Sequence, residues 1–183
     1  STRHAPSIFD CGVDHDQVKS FAVEVFSMSK SYNRPGWRIA FMAGNARMIA
    51  ALSHLKTYMD YGTFMPLQYA AAWALDHGDG LVDEIRSLYQ TRATTLTRGL
   101  AASGWGDVPE PSGSMFVWAK IPRKLAGKSS RDAATWLIEE AHVALSPGTG
   151  FGPGGEGFLR FALIEDPPRV QEACARIGKA LAR

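Results

Sequence analysis

Runs of strand length alternate with helix-length apolar stripes from Phe21 to the C-terminus, and that alternation confines the chain to an α/β architecture. FAVEVF at 21–26 mixes aromatic and β-branched residues over the length of a strand, and RIAFMA at 38–43 reads as a second. Polar, turn-prone SMSKSYNRPGW lies between them. Residues 1–20, broken by Pro6 and Gly12, read as a loop or entering tail.

Asn45 is placed to cap a helix from Ala46, where Ile49, Leu52, Leu55 and Met59 recur at three to four residues as a stripe expected to be buried. Tyr61-Gly62-Thr63 breaks that helix. An alanine-rich helix follows over 66–75, then a long one over 81–103 with the stripe Ile85, Leu88, Arg92 (through its stem), Leu96 and Leu100. SMFVWAKI at 114–121 reads as a strand ended by Pro122, 130–141 as a helix and 143–145 as a short strand. The glycine-dense SPGTGFGPGGEG precedes a strand at 158–163. Asp166-Pro167-Pro168 then opens a last helix with Val170, Ala173, Cys174, Ile177 and Leu181 on one face. No internal repeat is visible. The expected division is 1–80, a linking helix at 81–104, and a compact α/β unit at 105–183.

Composition narrows the function classes. With 45% hydrophobic and 21% charged residues, the 183-residue chain has the balance of a soluble globular protein. Its net charge of +2 is scattered, without the basic stripe that dominates nucleic-acid affinity. No apolar run approaches the ~18 residues of a membrane span, and no signal-peptide h-region is visible. Cys11 and Cys174 are far apart, and the five histidines form no ligand cluster, so neither a disulfide framework nor a metal site is expected. The expectation is a cytoplasmic enzyme or domain with no nucleic-acid or membrane partner. The absence of an initial Met points to a processed or excised chain.

A lone lysine in a polar loop is ordinarily a solvated charge. Lys30, however, follows a strand end, and a stiff support is what delivers a long amine to a carbonyl carbon. Ser27, Ser29 and Arg38 stand nearby with the hydroxyls and planar guanidinium that suit a phosphate, and Gly36 lets the segment turn tightly before Arg38.

The motif S-x-S-K-S-Y-N-x-x-G-W-R, from Ser27 to Arg38, resembles the lysine motif of fold-type-I pyridoxal 5'-phosphate (PLP) enzymes of the class I/II aminotransferase family. The likeness continues in Asp60-Tyr61-Gly62-Thr63-Phe64, Gly113-Ser114-Met115-Phe116-Val117-Trp118, Ser146-Pro147-Gly148-Thr149-Gly150-Phe151-Gly152 and Gly157-Phe158-Leu159-Arg160-Phe161-Ala162-Leu163. Its flavour is that of the alanine and LL-diaminopimelate aminotransferase group. The resemblance implies the C-terminal part of a fold-type-I PLP transferase, comprising the end of the large-domain sheet, a long linking helix and a small α/β domain. It implies Lys30 as the Schiff-base lysine and proton-moving base, Ser27 and Arg38 as phosphate ligands, Ser29 and Thr63 as further cofactor contacts, and Arg160 as the holder of the substrate α-carboxylate. Arg34-Pro35 stand where the group usually has Met-Ala, and Ala40 where glycine is common.

The resemblance also implies a homodimer acting on an amino acid and a 2-oxo acid, with 2-oxoglutarate as the expected acceptor. The stretch SHLKTYMD carries Lys56 but no arginine for a second carboxylate, which favours alanine or another small, neutral donor. Family members are about twice as long, so the isolated chain is expected to bind PLP weakly and to transaminate negligibly. LL-diaminopimelate or aspartate aminotransferase, a PLP carbon–sulfur lyase, and the aminotransferase-like domain of a transcription regulator are the alternatives.

Overall fold

Asp14 accepts hydrogen bonds from the N–H groups of Asp16 and Gln17, and that cap starts helix α1, His15–Phe21, inside the segment expected to be loop. The computed structural model describes residues 6–183, so the first five positions of the expected tail lie outside the described residues. Phe21 therefore ends a helix instead of opening a strand. Strand β1 is Val23–Ser27 and β2 is Ala40–Gly44, paired antiparallel from Val23↔Gly44 to Ser27↔Ala40. The polar segment between them holds a helical turn, α2 (Met28–Ser31), and a 3-10 turn at Pro35–Trp37.

Asn45 caps helix α3, Ala46–Met59, as its side chain predicts, accepting the Met48 N–H at 3.0 Å. The stripe on that helix is a correction. No residue of α3 is buried, and Leu55 and Met59 are 52% and 72% exposed. Hydrophobic spacing identifies the face that would gain from burial, and no described element covers this one. Helices α4, Met65–His77, and α5, Asp79–Ala102, follow.

The chain separates into two compact units, Ser1–Ile85 and Arg86–Arg183, and the division falls within α5. The first unit has a small core in which Met28, Ile39 and Ala71 are buried, with Tyr32, Trp37, Leu67 and Ala74 packed round them.

The second unit is built on a three-stranded antiparallel sheet of order β3-β5-β4, with β3 at Phe116–Lys120, β4 at Ser146–Pro147 and β5 at Phe158–Ala162. Residues 143–145 do not pair, contrary to expectation. His142 turns left-handed after helix α6, Ser130–Ala141, and Val143 and Leu145 pack against the core without joining the ladder. Val117, Ala119, Leu159 and Phe161 form one face of the sheet and bury with Leu137 of α6 and Ile177 of helix α7, Pro167–Leu181. Val117, Leu159, Leu137 and Ile177 each contribute about 2 kcal/mol on burial. The opposite face carries Phe116, Trp118, Phe158 and Arg160, because strand side chains alternate. The whole is an α/β arrangement of small antiparallel sheets and helices, as the alternating sequence pattern required.

Arg92 of α5 enters this second unit by more than its stem. Its guanidinium donates to Leu163 O at 3.1 Å and to Asp166 Oδ1 at 2.8 Å, tying the helix to the exit of β5. Asp166 thus serves Arg92 and leaves the start of α7 without a side-chain cap.

Candidate active site

Ser27, Ser29, Lys30 and Arg38 are brought together by one tight connection. Ser27 ends β1, and its Oγ accepts the Ser29 N–H at 3.2 Å, which starts the α2 turn carrying Lys30. The sheet returns the chain to the same place: Met28 N donates to Ile39 O at 3.1 Å, so the residue after Ser27 is bonded to the residue after Arg38. Arg38 is in the left-handed region at φ 52°, a conformation that costs a non-glycine residue about 1 kcal/mol or more. Buried Met28 and Ile39 on either side of the turn hold it there. Arg38 spends one N–H on Pro35 O at 2.9 Å and meets no carboxylate among the described residues. Lys30 is exposed and makes no hydrogen bond or ion pair among the described residues. Among the described residues, the Lys30 amine and most of the Arg38 guanidinium are thus left free on the same connection that carries the Ser27 and Ser29 hydroxyls.

Thr63 stands just before α4. Its carbonyl accepts from Gln68 Nε2 at 2.6 Å, and Phe64, not Thr63, is the N-cap. Nearby, Lys56 donates to Asp60 Oδ2 at 2.5 Å, and this bond is the chief reason that the Asp60 carboxyl is held below its ordinary range.

Arg160 lies in the second unit, on the middle strand β5, where it pairs with Trp118 of β3 on one side and Ser146 of β4 on the other. Its guanidinium is sandwiched, 4.0 Å from the Phe116 ring centre and 3.9 Å from that of Phe151. Its Nε is buried without a hydrogen-bond partner among the described residues. Both phenylalanines stood in the quoted sequence motifs without a role. For Phe116 the alternation of β3 was a usable signal, since it shares the face of Trp118 two residues on. For Phe151, at the end of a 3-10 turn spanning Gly148–Phe151, nothing local pointed toward Arg160.

The glycine loop is held from both ends. Gly148 and Gly155 press backbone against backbone, and a Cβ on Gly155 would come 2.0 Å from Gly148 O. Beyond them, the Glu156 carboxylate accepts from Ser130 N at 2.7 Å and from Gly157 N at 3.0 Å, and buried Ser130 places its hydroxyl 3.1 Å away. The backbone N–H of Ser130, then that of Gly157, hold the Glu156 carboxyl below its ordinary value of 4.5. A carboxyl lowered on folding stabilises the fold above its unfolded pKa, and that contribution is lost as pH falls through the folded one. Thermal melts of wild type and Glu156→Gln should therefore differ most at neutral pH and converge as pH drops below 4.5. A gap in melting temperature independent of pH would show that the charge plays no part.

The sequence profile described as aminotransferase class I and II matches residues 10–177. The chain belongs to the class I and II aminotransferases. This aminotransferase chain is 47% identical over 166 residues to the glutamate-pyruvate aminotransferase AlaC of Escherichia coli K12, covering 91% of itself and 40% of that protein. It is 38% identical over 162 residues to the LL-diaminopimelate aminotransferase of Nitratidesulfovibrio vulgaris Hildenborough, covering 88% of itself and 41% of the relative. Among solved structures it resembles apo-BacF from Bacillus subtilis, with a TM-score of 0.81, 30% identity, and coverage of 88% of this chain and 40% of that one. The aminotransferase chain thus spans about two fifths of the length of the curated relatives it matches. Among the described residues, no helix is long and apolar enough to cross a membrane, and no cluster of His, Cys, Asp and Glu could hold a metal ion.

Proposed function

We propose that the full-length protein transfers an amino group between an amino acid and a 2-oxo acid with PLP as cofactor, taking alanine or another small, neutral donor and 2-oxoglutarate as acceptor. The observation that carries the proposal is that one β1–β2 connection, closed by the Met28 N to Ile39 O hydrogen bond, carries both an amine, Lys30, and a guanidinium, Arg38, that are largely uncommitted among the described residues. The donor set fits the cofactor: an amine for its aldehyde, and the Ser27 and Ser29 hydroxyls with Arg38 for its phosphate dianion. Thr63 is assigned as an outlying cofactor contact. When bound, PLP supplies a conjugated ring that absorbs the electron pair left at the substrate Cα.

Lys30 would hold the cofactor through Nζ, and the same nitrogen would move the proton at the substrate Cα. Arg160 holds the substrate α-carboxylate with its in-plane N–H groups. In this reading residues 1–80 end the large cofactor-binding domain, 81–104 link, and 105–183 form the small domain of a cytoplasmic homodimer. Because the chain covers only part of its relatives' length, residues 1–183 alone should be inactive.

Two observations support a small neutral donor. Lys56 is committed to Asp60, so it is not a free cation for a second substrate carboxylate. AlaC, at 47% identity, carries the name glutamate-pyruvate aminotransferase. The names of other relatives favour LL-diaminopimelate as the second reading. Donor profiling of the full-length protein with 2-oxoglutarate separates the two. Ping-pong kinetics with L-alanine and glutamate release are expected; turnover confined to LL-diaminopimelate would replace the donor assignment, and pyruvate formation without an acceptor would replace transamination by lyase chemistry.

A further inference from the structure

The Arg160 guanidinium is covered by an aromatic ring on each face, with ring centres at 4.0 and 3.9 Å. Coverage on both faces does two things. It replaces face-on hydration of the cation by attraction to two ring quadrupoles, which are stronger once desolvated. It also prevents the guanidinium plane from turning, so hydrogen bonds can form only in that plane. Within the plane, Nε is buried and unpartnered, whereas the two Nη atoms are not closed off. The accessible edge is the one presenting Nη1 and Nη2 side by side, the geometry that accepts a carboxylate through two parallel hydrogen bonds.

The rings are themselves fixed. Phe116 stands on β3, one alternation from the Trp118 that pairs with Arg160. Phe151 is delivered by the glycine loop and meets Trp118 edge-on at 5.8 Å, while Trp118 stacks on Phe158 at 5.7 Å. The close approach of Gly148 and Gly155 and the Glu156 anchor on Ser130 set where the loop puts that ring. Phe151 is nevertheless 51% exposed, so it contributes little to the core that α6 and α7 build on the other face of the sheet.

We propose that Phe116 and Phe151 are positioning residues: they clamp the Arg160 guanidinium so that only its Nη edge is offered to a carboxylate. This rests on Arg160 holding the substrate carboxylate, which has its own control. The unreactive probe is propionate, with propionamide as its uncharged counterpart, each competed against L-alanine in the full-length cofactor-loaded enzyme.

Phe151→Ala should raise the propionate Ki, and the KM of both amino acid and 2-oxo acid, about tenfold, the scale of a desolvated cation–π contact. It should leave propionamide inhibition unchanged and kcat within about twofold, the pattern of lost carboxylate binding and not of a damaged fold. Phe151→Tyr keeps a ring and should restore propionate affinity, whereas Phe151→Leu keeps bulk without one and should not. Phe116→Leu, chosen to spare the sheet, should repeat the effect. If Arg160→Ala weakens propionate while Phe151→Ala, Phe151→Leu and Phe116→Leu bind it as wild type does, the clamp is overturned and the carboxylate reading stands. If Arg160→Ala itself binds propionate normally, the carboxylate reading fails and the clamp fails with it.

Discussion

Replacing Lys30 by alanine in the full-length protein is expected to lower kcat by about 10³-fold, the range set by removing a positioned general base. The expectation follows from local structure. Lys30 sits one turn from a strand end, on a helical turn whose start is fixed by the Ser27 cap, and no carboxylate pairs with it among the described residues. A lysine committed to a structural ion pair would leave a different signature, because its loss would be read in stability and not in turnover. The lysine at position 56 is the internal contrast. It is bonded to Asp60, and its substitution should leave kcat nearly unchanged. Lys30→Arg keeps the charge, yet arginine retains its proton near neutral pH, so it should be as inactive as alanine. Borohydride reduction of the cofactor-loaded protein gives an independent measurement. It should fix the cofactor to wild type at Lys30 and leave Lys30→Ala unlabelled. Turnover of the alanine variant near the wild-type rate would remove Lys30 from the mechanism.

What the sequence made legible was local chemistry. Asn45 before an apolar-periodic run can do little but cap it, and α6 and α7 begin where the helix at 130–141 and the Asp166-Pro167-Pro168 signal put them. The α1 helix was missed although Asp14 carries the same capping logic, because Gly12 and a polar run hid its short apolar face. The run at 143–145 shows the reverse error. Its residues are apolar because they pack on the core, while pairing with β5 falls to Ser146 and Pro147, which no propensity favours.

The α3 stripe marks a different limit. Leu52, Leu55 and Met59 were recognised as a face that would gain from burial, but periodicity carries no information about whether its partner lies in the same 183 residues. At the candidate site the charged residues were visible, since few other side chains do their chemistry. The phenylalanines around Arg160 were not: Phe151 reaches that side chain through a tertiary contact set by a glycine-on-glycine packing, and Phe116 through strand register.

The Arg160 substitution should produce the second large effect, and its form matters more than its size. Both substrates of a transamination carry an α-carboxylate, so Arg160→Ala in the full-length enzyme should raise the KM of amino acid and of 2-oxo acid together, each by about 10²-fold, from the loss of two charge-assisted hydrogen bonds. The strand context limits indirect damage. Arg160 lies on the sheet face opposite the Leu159 and Phe161 core, so truncation leaves that core intact and the melting temperature nearly unchanged. Arg160→Lys tests the geometry. A point charge on a flexible stem supplies attraction without the planar fork, and it stacks poorly between Phe116 and Phe151, so its KM values should fall between those of wild type and alanine. A KM rise confined to the amino donor, with the 2-oxo acid bound as before, would instead place Arg160 against the donor's side chain and take the common carboxylate away from it.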